Sequence, residues 1–323
     1  MSRLRRRAAA GMIIASTVDI AQLFLVQQAR VMVSLLLSIL KSYWSNNAVG
    51  IQMSASRTFI VSGSTERAIE SHPFVVKLLA HGAIDSEDMK ALRRTLEHRT
   101  IVKKGQDIIV QGYDYNTLDI VESGFGLRYT LLHQGGRQII SAVLPGDIVG
   151  FPASFFDRSI FSVMAATAMS VHRISFESFT ELCKQRTNIA IALIWYAARE
   201  ASLYAHHLIN ASRRSPLERI AHFLLETHFR LKAVGSASED SFDLPFSQES
   251  IGDAVGLSAP HVNRMLSELK HQGLITIGNR TVQFLDRTAL QILAEFDPTY
   301  LQRTAFSHKN AQAERRNRPA SIT

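Results

Sequence analysis

Apolar positions change their period along this chain, and the changes mark its elements. Between Pro73 and Ala80, Val75, Leu78 and Leu79 recur at helical spacing, and Gly82 ends the pattern. Asp85 or Ser86 is placed to cap a second helix whose apolar face is Met89, Leu92 and Leu96. From His98 to Ser175 the period shortens. Apolar runs at 108–110, 118–121, 127–132 and 139–144 are separated by Gly105, Gly112, Gly124, Gly135-Gly136 and Pro145-Gly146. Short strands with turn signals about every ten residues predict an all-β barrel or sandwich. Gly135-Gly136 suits a tight hairpin, because a primed turn needs positive φ.

From Phe176 to Ile209 the pattern is helical again. Ile191, Ile194, Ala198, Ala201, Ala205 and Leu208 recur at alternating spacings of three and four, which is a heptad seam. Small alanines would let two such helices approach closely; packing on the helix's own domain would give the same spacing. Ser215-Pro216 opens another helix, with Pro at its first position and Ile220, Phe223, Leu224, Thr227 and Leu231 on its inner face. Residues 233–241 read as a polar loop.

The stretch from Phe246 to Leu266 is the most informative. Ser247 is placed to cap a short helix with Ile251, Ala254 and Val255 inside, and Gly256 stands where the chain must turn sharply. Ser258 caps a second helix, Pro260 is tolerated in its first turn, and Val262, Met265, Leu266 and Leu269 face inward. Ala259, Pro260, His261, Asn263 and Arg264 are left outside. A solvated helix start usually carries an acid, which suits the helix dipole. This one carries none and gains Arg264, which favours a phosphate-rich partner. Two alternating strands then flank Gly278-Asn279, a hairpin signal, with Arg280 at the tip. Helix, glycine turn, helix and hairpin together predict a winged helix-turn-helix.

Composition adjusts this picture only slightly. The length of 323 residues suggests about two domains, and 46% hydrophobic with 20% charged residues is ordinary globular composition. A formal charge of +8 favours a polyanionic partner. The single cysteine, Cys183, excludes a disulfide framework, a zinc finger or a cysteine-bound iron–sulfur cluster within one chain, and it reads as an inert buried thiol in a reducing, cytoplasmic protein. Arg3, Arg5, Arg6 and Arg7 precede an apolar stretch from Gly11 to Leu40, but Asp19 and Arg30 interrupt it. Its unbroken part, Val31 to Leu40, is far short of the ~20 residues that span a bilayer. Residues 1–71 therefore read as an extension without recognisable chemistry, with Met53 a candidate true start. Residues 298–323, basic and weakly apolar, read as a disordered tail.

The order of β-roll, long helix and winged helix-turn-helix resembles the Crp/Fnr family of bacterial regulators over roughly residues 72–297. The run Leu257-Ser258-Ala259-Pro260-His261-Val262-Asn263-Arg264 is similar to that family's recognition helix. The resemblance implies an α+β fold: a β-roll sensor-like domain at 72–185, a dimerisation helix at 186–211 and a DNA-binding domain at 212–297. It implies a homodimer on a palindromic operator in double-stranded DNA and contact with RNA polymerase. Arg264 stands where family members read a guanine, with Pro260, Ala259 and Asn263 as further base-facing candidates. Ser247, Gln248, Ser258, His261 and Arg280 are candidates for phosphate.

The chain also departs from the family. Relatives that bind cyclic AMP carry a Gly-Glu pair and a later Arg-Ser or Arg-Thr pair; here Phe151 follows Gly150 where the acid would stand, and Arg158-Ser159 is the candidate second pair, at a shortened spacing. Gly150, Phe151, Arg158 and Ser159 outline a candidate effector pocket, with cyclic nucleotide disfavoured and the effector unidentified. A cupin-like metal enzyme is the rival of another class. It would need clustered ligands, whereas His98, His133 and His172 are widely spaced, and adjacent His206 and His207 point to different sides of a helix. No catalytic residue, metal site or cofactor is expected.

Overall fold

The computed structural model describes residues 69–80, 84–132, 135–151 and 153–302. The arginine-rich start, the apolar stretch from Gly11, Met53 and His133 lie outside the described residues. Among the described residues, no helix is long and apolar enough to cross a membrane.

Helix α1 (Pro73–Leu79) is capped by His72, whose Nδ1 accepts from the Phe74 amide. It buries Phe74, Val75 and Leu78, while Leu79 is 41% exposed and so leaves the predicted inner face. Helix α2 (Ser86–Thr95) starts at Asp85 in a capping box with Asp88. The roll follows as β1 (Arg99–Val102), β2 (Asp107–Ile109), β3 (Thr117–Ser123), β4 (Gly126–Leu131), β5 (Arg137–Val143), β6 (Ile148–Val149), β7 (Ser162–Ala165) and β8 (Met169–Ser175). These make two antiparallel four-stranded sheets, ordered β1-β8-β3-β6 and β2-β7-β4-β5. Residues of both, including Val121, Leu127, Ile139, Val163 and Val171, fill the space between them together with Phe161.

The helical stretch after the roll breaks at Arg186 into α3 (Phe176–Gln185) and α4 (Thr187–Arg213). The long helix thus runs two residues past its expected end. Helix α5 (Pro216–Lys232) begins with a capping box of Ser215 and Glu218. Then come β9 (Ser241–Asp243), α6 (Gln248–Val255), α7 (Ala259–His271), β10 (Ile275–Gly278), β11 (Thr281–Phe284) and α8 (Arg287–Leu293). Strand β9 pairs with β11 and makes the wing a three-stranded sheet, where only a hairpin was expected.

The expected tail begins too early. Pro298–Leu301 form a 3-10 turn with Leu301 buried and Tyr300 stacked on His206, so the folded chain extends beyond residue 297. Tyr300 and Leu301 are single apolar residues in a polar context, too sparse to show any period.

Candidate nucleic-acid interface and the junction behind it

Helices α6 and α7 meet through a close backbone approach. The Leu257 amide donates to the Gly252 carbonyl at 3.0 Å, and a Cβ on Gly252 would stand 2.4 Å from the Leu257 carbonyl oxygen. Gly256 takes the left-handed conformation at φ 71° that the turn requires. Ile251, Val255, Val262, Leu266 and Leu269 lock the pair to the core. Pro260, Asn263 and Arg264 are thereby exposed on the first turns of α7, with Ala259 and His261 half-buried beside them.

The start of α7 is electrostatically open. Its first turn holds no acid, and Ser258 occupies the cap position without a side-chain cap hydrogen bond. Its first-turn amides and the Ser258 hydroxyl suit an anion at the positive end of the helix dipole. Ser247 is committed differently: it caps α6, accepting from the Ser250 amide at 3.1 Å. Gln248 beside it is exposed.

At the wing tip, Asn279 and Arg280 both have positive φ, at 50° and 63°. The turn is therefore centred on Asn279-Arg280, one residue later than Gly278-Asn279. Its register is set by Gly278 pairing with Thr281. The Arg280 carbonyl accepts from the Leu244 amide at 2.7 Å, which pins the tip, and its side chain is exposed.

Helix α4 has two faces. Leu193, Tyr196, Ala197, Leu203 and Tyr204 are buried against the chain's own domains. Ile191 is exposed, and Ile194, Ala198, Ala201, Ala205 and Leu208 are half-buried along the opposite stripe. The six expected seam residues thus share the open face.

The expected effector pocket is not assembled as drawn. The Phe151 ring is buried against Phe155 and Tyr196, at centroid distances of 5.3 and 6.3 Å. Gly150, at φ 98°, packs on the Thr117 carbonyl. Arg158 is exposed, whereas Ser159 is buried and spends its hydroxyl on the Phe161 carbonyl at 2.6 Å. Arg128 is a buried charged group of the roll that the sequence did not point to. It is 2% exposed, donates to Tyr204 of α4, pairs with Glu200 at 3.4 Å and lies over the Phe161 ring. Nothing local in the sequence singles out Arg128, because its partners on α4, Glu200 and Tyr204, come more than seventy residues later.

The two domains are joined by links that sequence reasoning missed for the same reason. From β5, Arg137 donates through Nε and Nη2 to Asp253 of α6 at 2.9 and 2.7 Å, and Gln138 donates to the Asp253 carbonyl. From α5, Arg230 donates to Asp147 at 2.7 Å and to the Ala142 carbonyl at 3.1 Å. Asp147 also takes Lys77 at 2.6 Å. Burial pushes the Asp147 carboxyl upward, but Lys77 and Arg230 outweigh it and hold its pKa well below the usual range. Phe125 of the roll meets Phe246 edge-on at 5.9 Å.

His206 and His207 do face different ways. His206 stacks on Tyr300, and His207 reaches the Ile140 carbonyl and Glu226. Among the described residues, no group of three His, Cys, Asp or Glu is poised to hold a metal ion. Cys183 is packed beside the core cluster that includes Phe179 and Ile189, and burial pushes its thiol up to about 12, so it stays protonated.

The arrangement defines a class: a β-roll coupled through a long helix to a winged helix-turn-helix. Comparison with known proteins agrees. The profile of the cyclic nucleotide-binding domain matches residues 99–186, and that of the Crp-like helix-turn-helix domain matches residues 218–293. The chain is 34% identical to the nitrogen fixation regulation protein FixK of Bradyrhizobium diazoefficiens over 180 residues, 56% of this chain and 73% of that one. It is 29% identical to the transcriptional activator protein anr of Pseudomonas aeruginosa over 208 residues, 64% of this chain and 85% of the relative. The solved structure of FixK2 from Bradyrhizobium japonicum superposes with a TM-score of 0.55 at 27% identity, covering 61% of this chain and 96% of that one. The chain belongs to the Crp/Fnr family of transcription regulators, with a DNA-binding helix-turn-helix and a cyclic-nucleotide-binding-like sensor domain.

Proposed function

We propose that the protein acts as a homodimer on an inverted-repeat operator, with α7 of each protomer in the major groove. Arg264 donates two hydrogen bonds to guanine O6 and N7, Asn263, Ala259 and Pro260 face neighbouring base edges, and Pro260 offers only apolar contact, such as to a thymine methyl. Ser247, Gln248, Ser258, His261 and Arg280 meet phosphate and set the register without choosing a base. The dimer forms along the open face of α4, through Ile191, Ile194, Ala198, Ala201, Ala205 and Leu208. RNA polymerase is the partner on DNA, the cytoplasm is the compartment, and an unidentified small molecule is the candidate effector of the roll; no enzymatic activity is assigned.

The observation that carries this reading is the start of α7: an exposed Arg264 within two turns of an acid-free helix end whose cap residue makes no side-chain cap bond. Selection of bound sites from a random DNA pool tests it. The expected product is an inverted repeat with half-site centres about one helical turn apart, ~34–36 Å. A selected pool without sequence preference would contradict it.

A further inference from the structure

The junction between the roll and the DNA-binding domain contains one histidine whose two ring nitrogens both face acceptors. His207 Nδ1 lies 3.0 Å from the Ile140 carbonyl of β5, and its Nε2 lies 2.9 and 3.0 Å from the two carboxylate oxygens of Glu226 on α5. A carbonyl only accepts. Glu226 is fixed as the ionised form: burial opposes ionisation, but His207 and Arg230 hold its pKa far below the usual range. The Tyr300 hydroxyl donates to the same carboxylate at 3.0 Å. A neutral imidazole has one donor, so it satisfies only one of the two contacts and turns a lone pair on the other. Only the imidazolium makes both.

We propose that His207 is a proton-dependent latch, which in its charged form ties strand β5 of the sensor domain to helix α5 of the DNA-binding domain.

The surrounding groups favour placing the proton here. On α5, Glu226 attracts it, Arg230 opposes it, and His222 stays neutral because burial lowers its pKa to about 4. On α4, burial lowers His206, and Tyr204 lies edge-on to the His207 ring. From the C-terminal turn, Tyr300 is held protonated, its pKa raised by burial and by Glu226. From β5 and α6, Arg137 and Asp253 neutralise one another. Burial pulls the His207 pKa down, but the charge and hydrogen bond of Glu226 and the Ile140 carbonyl bring it above its ordinary 6.5. The sign follows: the docked state binds the proton more tightly, so the tie is complete below the ordinary pKa and is lost as pH rises through the raised one. Each unit of elevation corresponds to about a tenfold change in the docking equilibrium. The other junction links are the ion pairs Arg137–Asp253 and Arg230–Asp147, so His207 is the histidine among them.

A small cavity of about 20 Å³ adjoins the tie, lined by His207, Asn210, His222, Glu226 and Ala254. It has room for a water, which the freed ring nitrogen needs when the latch opens.

The test is hydrogen exchange on the full chain without DNA, corrected for intrinsic pH dependence, from about pH 6 to about pH 9. The His207 imidazole ¹⁵N shifts are followed in parallel. The expected result is a charged ring at the acid end and loss of protection in β5 and α5 as it titrates. His207→Gln, neutral at every pH, shows low protection without that transition. Glu226→Gln keeps an acceptor but removes the charge, and lowers the midpoint by about one unit or more. Should His207→Gln fail to fold, the Glu226→Gln midpoint carries the test. A ring that is neutral across the range, a transition that survives in His207→Gln, or an unmoved midpoint in Glu226→Gln overturns the proposal, and none of these outcomes bears on how α7 reads DNA.

Discussion

Replacing Arg280 by glycine should strengthen the fold and weaken DNA binding at the same time. Arg280 sits at φ 63°, the second of two left-handed residues in the wing turn. An L side chain in that conformation costs about 1–2 kcal/mol, whereas glycine adopts it freely. Glycine also enlarges the entropy of the unfolded chain, which returns about 0.5–1 kcal/mol of that gain. The net expectation is a stabilisation of up to about 1.5 kcal/mol, or a Tm higher by up to roughly 2 °C for a chain of 323 residues. The backbone bond from Leu244 to the Arg280 carbonyl is unaffected by the change. On DNA, losing one phosphate contact per protomer lowers the dependence of log affinity on log salt by about 0.9 per protomer. Arg280→Ala provides the comparison: the same loss of slope, with the strain retained and no gain in Tm. The assay is thermal unfolding of both variants together with operator affinity at several salt concentrations. An Arg280→Gly protein that melts lower than the parent, or that binds with an unchanged salt slope, refutes the assignment of this residue as a strained, phosphate-facing wing tip.

Other substitutions separate the remaining parts of the account. Ala201→Glu places a charge on the open face of α4 and should yield monomers by light scattering, with operator affinity falling although no DNA-facing residue has changed. Asp147→Asn leaves Lys77 and Arg230 buried without their counter-charge and should cost about 3–5 kcal/mol in denaturant unfolding. Because the Asp147 pKa is depressed in the folded state, its contribution is present above the unfolded value of about 3.9 and is lost as pH falls through the folded one; the acid limb of a stability–pH curve should therefore flatten in Asp147→Asn. With the Phe151 ring buried and Arg128 held by Glu200, calorimetry should record no micromolar binding of cyclic AMP; a clear saturable heat would overturn that expectation.

The parts of the fold that were legible in the sequence are those set by local rules. Ser215-Pro216, Asp85 or Ser86, and Gly256 each state a helix boundary locally, and a boundary is found at each. The heptad stripe on α4 was visible because its period survives burial of the opposite face. The wing turn was misplaced by one residue because Gly278 attracts a turn assignment, while the strand pairing puts the left-handed pair at Asn279 and Arg280, where a long basic residue carries no turn signature. Strand β9 was hidden because three residues have too short a period to show, and it exists only by pairing with β11. The junction was invisible for a related reason. Arg137 and Asp253 are 116 residues apart, and neither carries a mark of the other. The four residues named for an effector site were taken by position and do not converge: the Phe151 ring packs on Phe155 and Tyr196, Arg158 is exposed, and Ser159 bonds the Phe161 carbonyl.

The central claim is that α7 reads bases and that Arg264 does part of the reading. Its test is the affinity of Arg264→Ala and the parent chain for a panel of single-base operator variants at fixed salt. The account predicts a loss of about 1–3 kcal/mol on the best operator and relaxed preference at one base pair per half-site, the other positions keeping theirs. A uniform loss across the whole panel, with every base preference intact, would make Arg264 a phosphate or structural contact and would contradict the claim.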